Sequence, residues 1–491
     1  LRPKSSHPAQ HTEVTRQAVR GSLYSVGASG ITVTLGFVRA VLLARLLLPD
    51  YFGVVALATF FVMLSARLRS LGFDRALIHK QATEGPVFET YVALKMGIVL
   101  ITTTIFLVLS PLIAHFYPNR PHLLPVMIVM ALVMTMAAFN QLQETALQAQ
   151  LRFRDIALVN VVAAITMTIV APLLAWWGWG VWSLVAEQAS GILVRGLLVW
   201  GPLRAAPFRP RVHREVARWF WEFGKANWVG ANVGYLLDRF DDFWVGTTLG
   251  NVPLGYYNRA YEFARYPRRL LANSLLTVMA PVFARLQTDR RQLSIAYFRV
   301  MSLLVRVGVL VGGLIVLLAP EFILWFLGPK WWPMMRTFQL MVIYVMLDPL
   351  LLTSAHLLLA VGDPQALARA RVWQMAFFIP AVIVLAALWG IEGVAVAADA
   401  MLVVGWLLLD RPLRRHVDFS LIRMWGIPLL GMGLGIILVM GYRSAHPTLS
   451  WEHALVKSAI FLTSVVSVML AGEGRELLSM VHEGWKSITG S

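Results

Sequence analysis

Charged residues standing inside otherwise apolar stretches are the part of this sequence best suited to chemistry. They are Arg39, Arg45 and Lys95, the group Asp238, Arg239, Asp241 and Asp242, and then Arg259, Glu262 and Arg269. A charge in hydrocarbon costs about 2.5–3.5 kcal/mol on insertion scales, so each of these must face a cavity or a partner. At 100° per residue Arg259, Glu262 and Arg269 fall within an arc of about 80°, which leaves one wet face on a packed helix. Guanidinium forks grip phosphate or diphosphate bidentately and stay charged at every relevant pH. The set Arg39, Arg45, Lys95, Arg259 and Arg269 therefore predicts a water-accessible vestibule for a large anionic headgroup. Arg39 and Arg259 either face that headgroup or pair with the acids of 238–242. Asp238 and Asp242 lie one helical turn apart with Arg239 and Asp241 between them. With Glu262 they form the candidate coupling or gating group, able to take H⁺ or Na⁺ or simply to balance arginines.

Membrane helices must position these residues. The chain has 491 residues, of which 58% are hydrophobic and 14% charged, with a mean hydropathy of +0.67; soluble domains carry about 25% charged residues. Windows of about 19 residues predict about fourteen helices, near 22–47, 53–73, 88–112, 122–146, 155–177, 180–203, 224–247, 253–284, 297–327, 334–361, 366–389, 391–411, 421–442 and 453–472. Long β-alternation is missing, which argues against an outer-membrane barrel. With no cysteine in the chain, disulfides, thiolate metal sites and cysteine nucleophiles are excluded. The eleven histidines show no ligand spacing, so no metal or other cofactor is expected. There is no Gly-x-x-x-x-Gly-Lys-Ser/Thr loop for nucleotide hydrolysis. Connections on one side are too short for a catalytic domain, so no enzyme is expected.

The net charge of +17 is spread over many short connections, which excludes a nucleic-acid surface. Alternate connections carry Arg67, Arg69, Arg75 and Lys80, then Arg152 and Arg154, then Arg204 to Arg218, with similar sets further on; the opposite ones carry only Arg120, Lys330, Arg336 and Arg443. That skew predicts that both termini are cytoplasmic. The basic N-terminal stretch lacks a small-residue cleavage site, so the first span reads as retained.

An internal repeat is visible. Trp176-Trp177-Gly178-Trp179-Gly180-Val181 leads to Glu187 as Leu388-Trp389-Gly390-Ile391 leads to Asp399, and Leu48-Pro49-Asp50-Tyr51-Phe52-Gly53 parallels Leu249-Gly250-Asn251-Val252-Pro253-Leu254-Gly255. Offsets of roughly 200 to 215 residues equal six helices, so two like-oriented lobes would surround a central cavity. The expected organisation is a cytoplasmic segment 1–21, an N-lobe 22–203, a basic linker with an interfacial helix 204–223, a C-lobe 224–415, two further helices in 416–472 and a cytoplasmic tail 473–491. Isolated acids Glu187, Asp348 and Asp399 read as satisfied helix–helix hydrogen bonds.

Leu43 to Gly53, Leu71-Gly72-Phe73, Leu254-Gly255-Tyr256-Tyr257-Asn258-Arg259-Ala260, Ala280 to Gln287 and Leu327-Gly328-Pro329-Lys330-Trp331 resemble the bacterial polysaccharide transporter (Wzx-type oligosaccharide flippase) family. The resemblance implies an all-α membrane fold similar to multidrug-and-toxin extruders, with two six-helix lobes and two more helices, in the bacterial inner membrane. It implies alternating-access transport of undecaprenyl-pyrophosphate-linked oligosaccharide for surface polysaccharide biosynthesis. Membrane lipid and polysaccharide polymerase or assembly proteins are the other implied partners. Leu35-Gly36-Phe37-Val38-Arg39 also resembles a stretch of the lipid II flippases, which implies a cavity position for Arg39. The rival readings are a drug or cation exporter on the same fold, for which an acid-dominated cavity is expected, a membrane glycan ligase or polymerase, and a non-transporting scaffold.

Overall fold

The computed structural model describes residues 8–69, 71–80 and 83–489; residues 1–7 and 490–491, belonging to the expected terminal segments, lie outside the described residues. The helices are α1 (Pro8–Leu46), α2 (Pro49–Leu68), α3 (Phe73–Lys80), α4 (Gly85–His115), α5 (Leu123–Ala149), α6 (Phe153–Trp176), α7 (Val181–Trp200) and α8 (Arg214–Thr248). They continue with α9 (Asn251–Ala264), α10 (Asn273–Leu286), α11 (Arg290–Phe322), α12 (Met335–Leu340), α13 (Val342–Ala360), α14 (Pro364–His416), α15 (Leu421–Ala445) and α16 (Trp451–Thr489). No strand occurs among the described residues. Ten helical stretches there are long and apolar enough to cross a bilayer, and the chain is a multi-pass membrane protein.

Helix starts follow local chemistry. Pro49 opens α2, where its missing N–H costs nothing. Asp289 accepts from the Gln292 N–H at 3.0 Å and Asp363 from the Ala366 N–H at 3.1 Å, each satisfying an orphan donor of a first turn. The repeat is written into the backbone as well. Gly180, just before α7, has φ 53° and ψ −125°, and Gly390 has φ 59° and ψ −137°, a conformation closed to residues with a Cβ. At Gly390 α14 turns back on itself as two helices, 364–389 and 391–416.

The second helix of each half is broken. After α2 ends at Leu68, Gly72 takes φ 73° and α3 resumes at Phe73. In the other half α9 ends at Ala264, Pro267 follows, and a π turn over Arg268–Ala272 leads into α10. Proline in a helix interior removes one ladder hydrogen bond and crowds the preceding turn, which accounts for the second break.

The chain forms two compact units, 1–258 and 259–491. In the first, α1 packs on α6, α7 on α5 and α6, and α2 on both α5 and α8. Residues 214–223, expected as a separate interfacial helix, are the opening turns of α8; Phe220 is fully buried with Phe73, Leu77, Phe88 and Tyr91. The middle of α2 and the second half of α8 meet through Phe60, Phe61, Tyr235 and Phe243, with Phe60 stacked on Phe243 at 4.9 Å between centroids. At the start of α2 the repeated Pro/Gly motifs clasp each other. A Cβ on Gly53 would stand 1.9 Å from the Asn251 carbonyl oxygen, and one on Gly255 would stand 2.0 Å from that of Pro49. Each glycine therefore sits on the opening turn of the other's helix, an approach that only a residue without a side chain permits.

In the second unit α11 packs on α13, α15 and α16, and α13 on α14. Two buried ion pairs fix α16 against α11: Lys457 to Glu321 at 2.5 Å and Arg306 to Glu473 at 2.5 Å. Each helix supplies a cation and then, further along its sequence, an acid, so only the antiparallel arrangement satisfies both. Phe461 fills the notch between Gly313 and Gly435.

Candidate functional site

The intramembrane charges fall into separate groups. Arg39, on α1, donates through Nε to Glu187 of α7 at 2.7 Å and through Nη1 to Thr168 of α6 at 3.4 Å. Its acid partner is thus on α7 rather than in the 238–242 group. Arg45 is exposed near the end of α1. Lys95 of α4 pairs with Asp74 at the start of α3 and donates to the Tyr91 hydroxyl at 3.2 Å; that hydroxyl in turn donates to Asp74 at 2.5 Å.

The acidic group on α8 is largely self-contained. Asp241 and Asp242 are buried, while Asp238 is exposed. Tyr257 donates to Asp241 at 2.5 Å, and Asp242 takes Arg239 at 2.7 Å and the Asn258 amide at 3.3 Å. Hydrogen-bonded burial of this kind offsets the cost of removing carboxylates from water.

In the second unit Glu262 bridges two predicted cations, pairing with Arg259 one turn before it and with Arg269 at 3.6 Å. Arg269 also lies 5.3 Å from the ring centre of Tyr266. Arg268 holds Asp348 of α13 with Nη1 2.8 Å from both carboxylate oxygens. Of the three isolated acids, Glu187 and Asp348 are satisfied as expected. Asp399 is not fully so, because its Oδ1 is buried without a hydrogen-bond partner.

A cavity of about 470 Å³ lies wholly inside the first unit, among α2, α3, α4, α5 and α7. Its charged walls are Arg67, Arg69, Asp74, Lys95, Glu144 and Arg195. Lys95 is the one predicted site residue in this group. Arg69 lies at the break after α2 and donates to Thr103 Oγ1 and to the Met134 carbonyl, both at 3.2 Å. Those two acceptors lie in the middle thirds of α4 and α5, so Arg69 is inside the bundle. The sequence reading placed it with Arg67 in an aqueous connection because a run of cations beside an apolar segment normally marks a loop. The signal available was Gly72, four residues past the end of α2 at Leu68, a helix-stop residue that puts Arg69 beside a break followed at once by another helix. Arg195 pairs with Glu144 at 3.4 Å; neither was singled out, since both stand close to helix ends.

Residues 42–336 match the polysaccharide biosynthesis protein family. The lipopolysaccharide biosynthesis protein WzxC of Escherichia coli (strain K12) is 24% identical over 388 residues, 77% of each chain. The succinoglycan biosynthesis transport protein ExoT of Rhizobium meliloti (strain 1021) is 27% identical over 329 residues, 66% of this chain and 65% of its own. Among solved structures, the lipid II flippase MurJ in an inward closed conformation superposes with a TM-score of 0.75, covering 93% of this chain and 99% of its own at 14% identity. The chain has that fold.

Proposed function

Because the chain belongs to the polysaccharide biosynthesis protein family, we propose that it is a flippase, moving lipid-linked oligosaccharide across the bacterial cytoplasmic membrane by alternating access. The observation that carries this reading is the match to WzxC over 77% of the chain and to the transport protein ExoT over 66% of it. Undecaprenyl diphosphate is the carrier proposed. A diphosphate and several sugars cannot enter hydrocarbon unaided, whereas a polyprenyl tail can remain in lipid throughout. Intramembrane cations then replace the water around the diphosphate: Arg39, Arg45, Lys95, Arg259 and Arg269 are assigned this role. Several of them rest against acids, so the incoming diphosphate exchanges with a carboxylate instead of meeting a bare charge. Asp238, Arg239, Asp241, Asp242 and Glu262 are assigned to coupling or gating.

Alternating access needs a seal that parts. The clasp of Gly53 on Asn251 and Gly255 on Pro49, backed by the Phe60–Phe243 cluster, supplies one at the end of α2 that the charge skew places away from the cytoplasm. No bond is broken in this cycle, and the protein is not an enzyme. The cations favour an anionic cargo over a cationic drug.

Reconstituted vesicles test the reading, with headgroup translocation measured for wild type, Arg39→Ala and Arg259→Ala. Flipping by wild type and its loss in folded variants is the expected result. Equal activity in both variants removes the cation assignment, and no wild-type activity on any lipid-linked donor overturns the flippase.

A further inference from the structure

We propose that His446 and His453, at the hairpin joining α15 to α16, form a binding site for a divalent transition-metal ion such as Zn²⁺ or Cu²⁺. His446 follows the last turn of α15 and His453 lies in the first turn of α16; standing on different helices, they show no ligand spacing in the sequence. Their ring centres lie 5.2 Å apart. Two imidazoles bound through nitrogen at about 2.0–2.1 Å to one tetrahedral ion have ring centres about 5 Å apart, so the fold holds the pair at the separation an ion would impose. Tyr442 aims both rings. Its carbonyl oxygen accepts from Nδ1 of His446 at 3.3 Å, and its hydroxyl bonds Nδ1 of His453 at 2.7 Å. A carbonyl only accepts, so the neutral His446 ring carries its proton on Nδ1 and its lone pair on Nε2. At His453 the hydroxyl can accept as well as donate, which lets that ring take the same tautomer. Among the described residues neither Nε2 has a hydrogen-bond partner.

Metal-binding histidines spend their second ring nitrogen on a carbonyl or a similar acceptor, which fixes tautomer and orientation. That supporting shell is complete here, behind two nitrogens the protein does not use, and imidazole suits zinc, copper and nickel. The rings are also placed without any ion. The Tyr442 ring stacks on His446 at 4.6 Å, Ser450 accepts from the His453 N–H at 3.2 Å, and Trp451 stacks on Trp325 at 4.0 Å. Little order then has to be gained on binding. His446 is exposed and His453 half-buried, so an ion arrives directly from water. No third His, Cys, Asp or Glu gathers with them among the described residues. Water therefore fills the remaining positions, and the site is open and exchangeable, unlike a closed structural centre. When occupied it ties the end of α15 to the start of α16.

Full-length protein in detergent, purified without a histidine tag and stripped with a chelator, would be titrated with Zn²⁺ by calorimetry and with Cu²⁺ by electron paramagnetic resonance. Wild type takes up a single tightest-bound ion per chain, its copper spectrum shows coupling to two imidazole nitrogens, and its unfolding midpoint rises with zinc concentration. His446→Gln and His453→Gln each abolish that uptake at concentrations that saturate wild type. Tyr442→Phe, which removes the hydroxyl behind His453 and keeps the carbonyl behind His446, weakens it about tenfold. His122→Gln, at an exposed histidine of the first unit, leaves it unchanged. Should His453→Gln not fold, His446→Gln at the exposed position decides alone. No zinc uptake by wild type, a copper spectrum with a single nitrogen, or uptake that His446→Gln leaves intact overturns the proposal, whether or not the protein flips lipid-linked sugars.

Discussion

The two breaks in the repeated second helix use arginine in opposite ways. In the first unit the break after α2 leaves Arg69 held by neutral acceptors beside a cavity. In the second, the π turn at Arg268–Ala272 hands Arg268 to Asp348, with both carboxylate oxygens at 2.8 Å. One arrangement ends in an ion pair and the other in hydrogen bonds to neutral acceptors. Duplicated halves can thus keep a backbone defect in common while one of them turns it into a brace. The side chain on the facing helix decides which: α13 offers an acid where α4 and α5 offer a threonine and a carbonyl.

That contrast can be broken from the second unit. Asp348→Ala leaves Arg268 mostly buried and uncompensated, a situation worth about 3–5 kcal/mol, and thermal unfolding in detergent should register a correspondingly large fall in midpoint. A midpoint within a degree or two of wild type would mean that Arg268 is hydrated and the brace is illusory. The reciprocal change, Thr103→Asp, gives Arg69 the acid it lacks and should make the first unit resemble the second. The unfolding midpoint is then expected to hold or rise relative to wild type, since the new carboxylate stands where the Thr103 hydroxyl accepts from Arg69; a fall of several degrees would show that the first break cannot accept the pairing of the second.

Smaller effects sharpen the comparison at the two hairpins. Gly180→Ala and Gly390→Ala each force a Cβ into a glycine-only conformation, at a cost of about 1–3 kcal/mol. The first should cost more, because its Cβ also meets the Tyr51 ring at 3.1 Å whereas nothing lies within 4 Å of the second. Equal midpoints for the two variants would show that the Tyr51 contact yields freely. Least of all, Arg69→Gln should change stability by under about 1 kcal/mol, since glutamine can still donate to Thr103 and Met134.

How far the sequence announced all this varies along the chain. Apolar windows locate the spans because the bilayer imposes one length on every crossing, and the Trp-Gly hairpins betray the repeat because a corner with positive φ and ψ of −125° or −137° favours glycine. The pairing of Pro49 with Gly255 and of Asn251 with Gly53 was legible only as two similar strings; that they touch reciprocally is tertiary information. Lys95 was identified as a cavity residue from its position within an apolar run. Arg69 escaped because the rule that sorts cations into loops takes no account of a side chain at a helix end that reaches back to Thr103 and Met134 within the bundle. Asp74, Glu144 and Arg195 escaped for a related reason, since a charge near a helix end looks solvated until its neighbours are known.

Headgroup translocation in reconstituted vesicles, read as the appearance of lipid-linked oligosaccharide in the opposite leaflet against protein-free controls, bears most directly on the function. Protein-dependent transfer that disappears with Arg259→Ala while the variant remains folded is the predicted result. Transfer no faster than through bare bilayers, for every lipid-linked donor supplied, would contradict it.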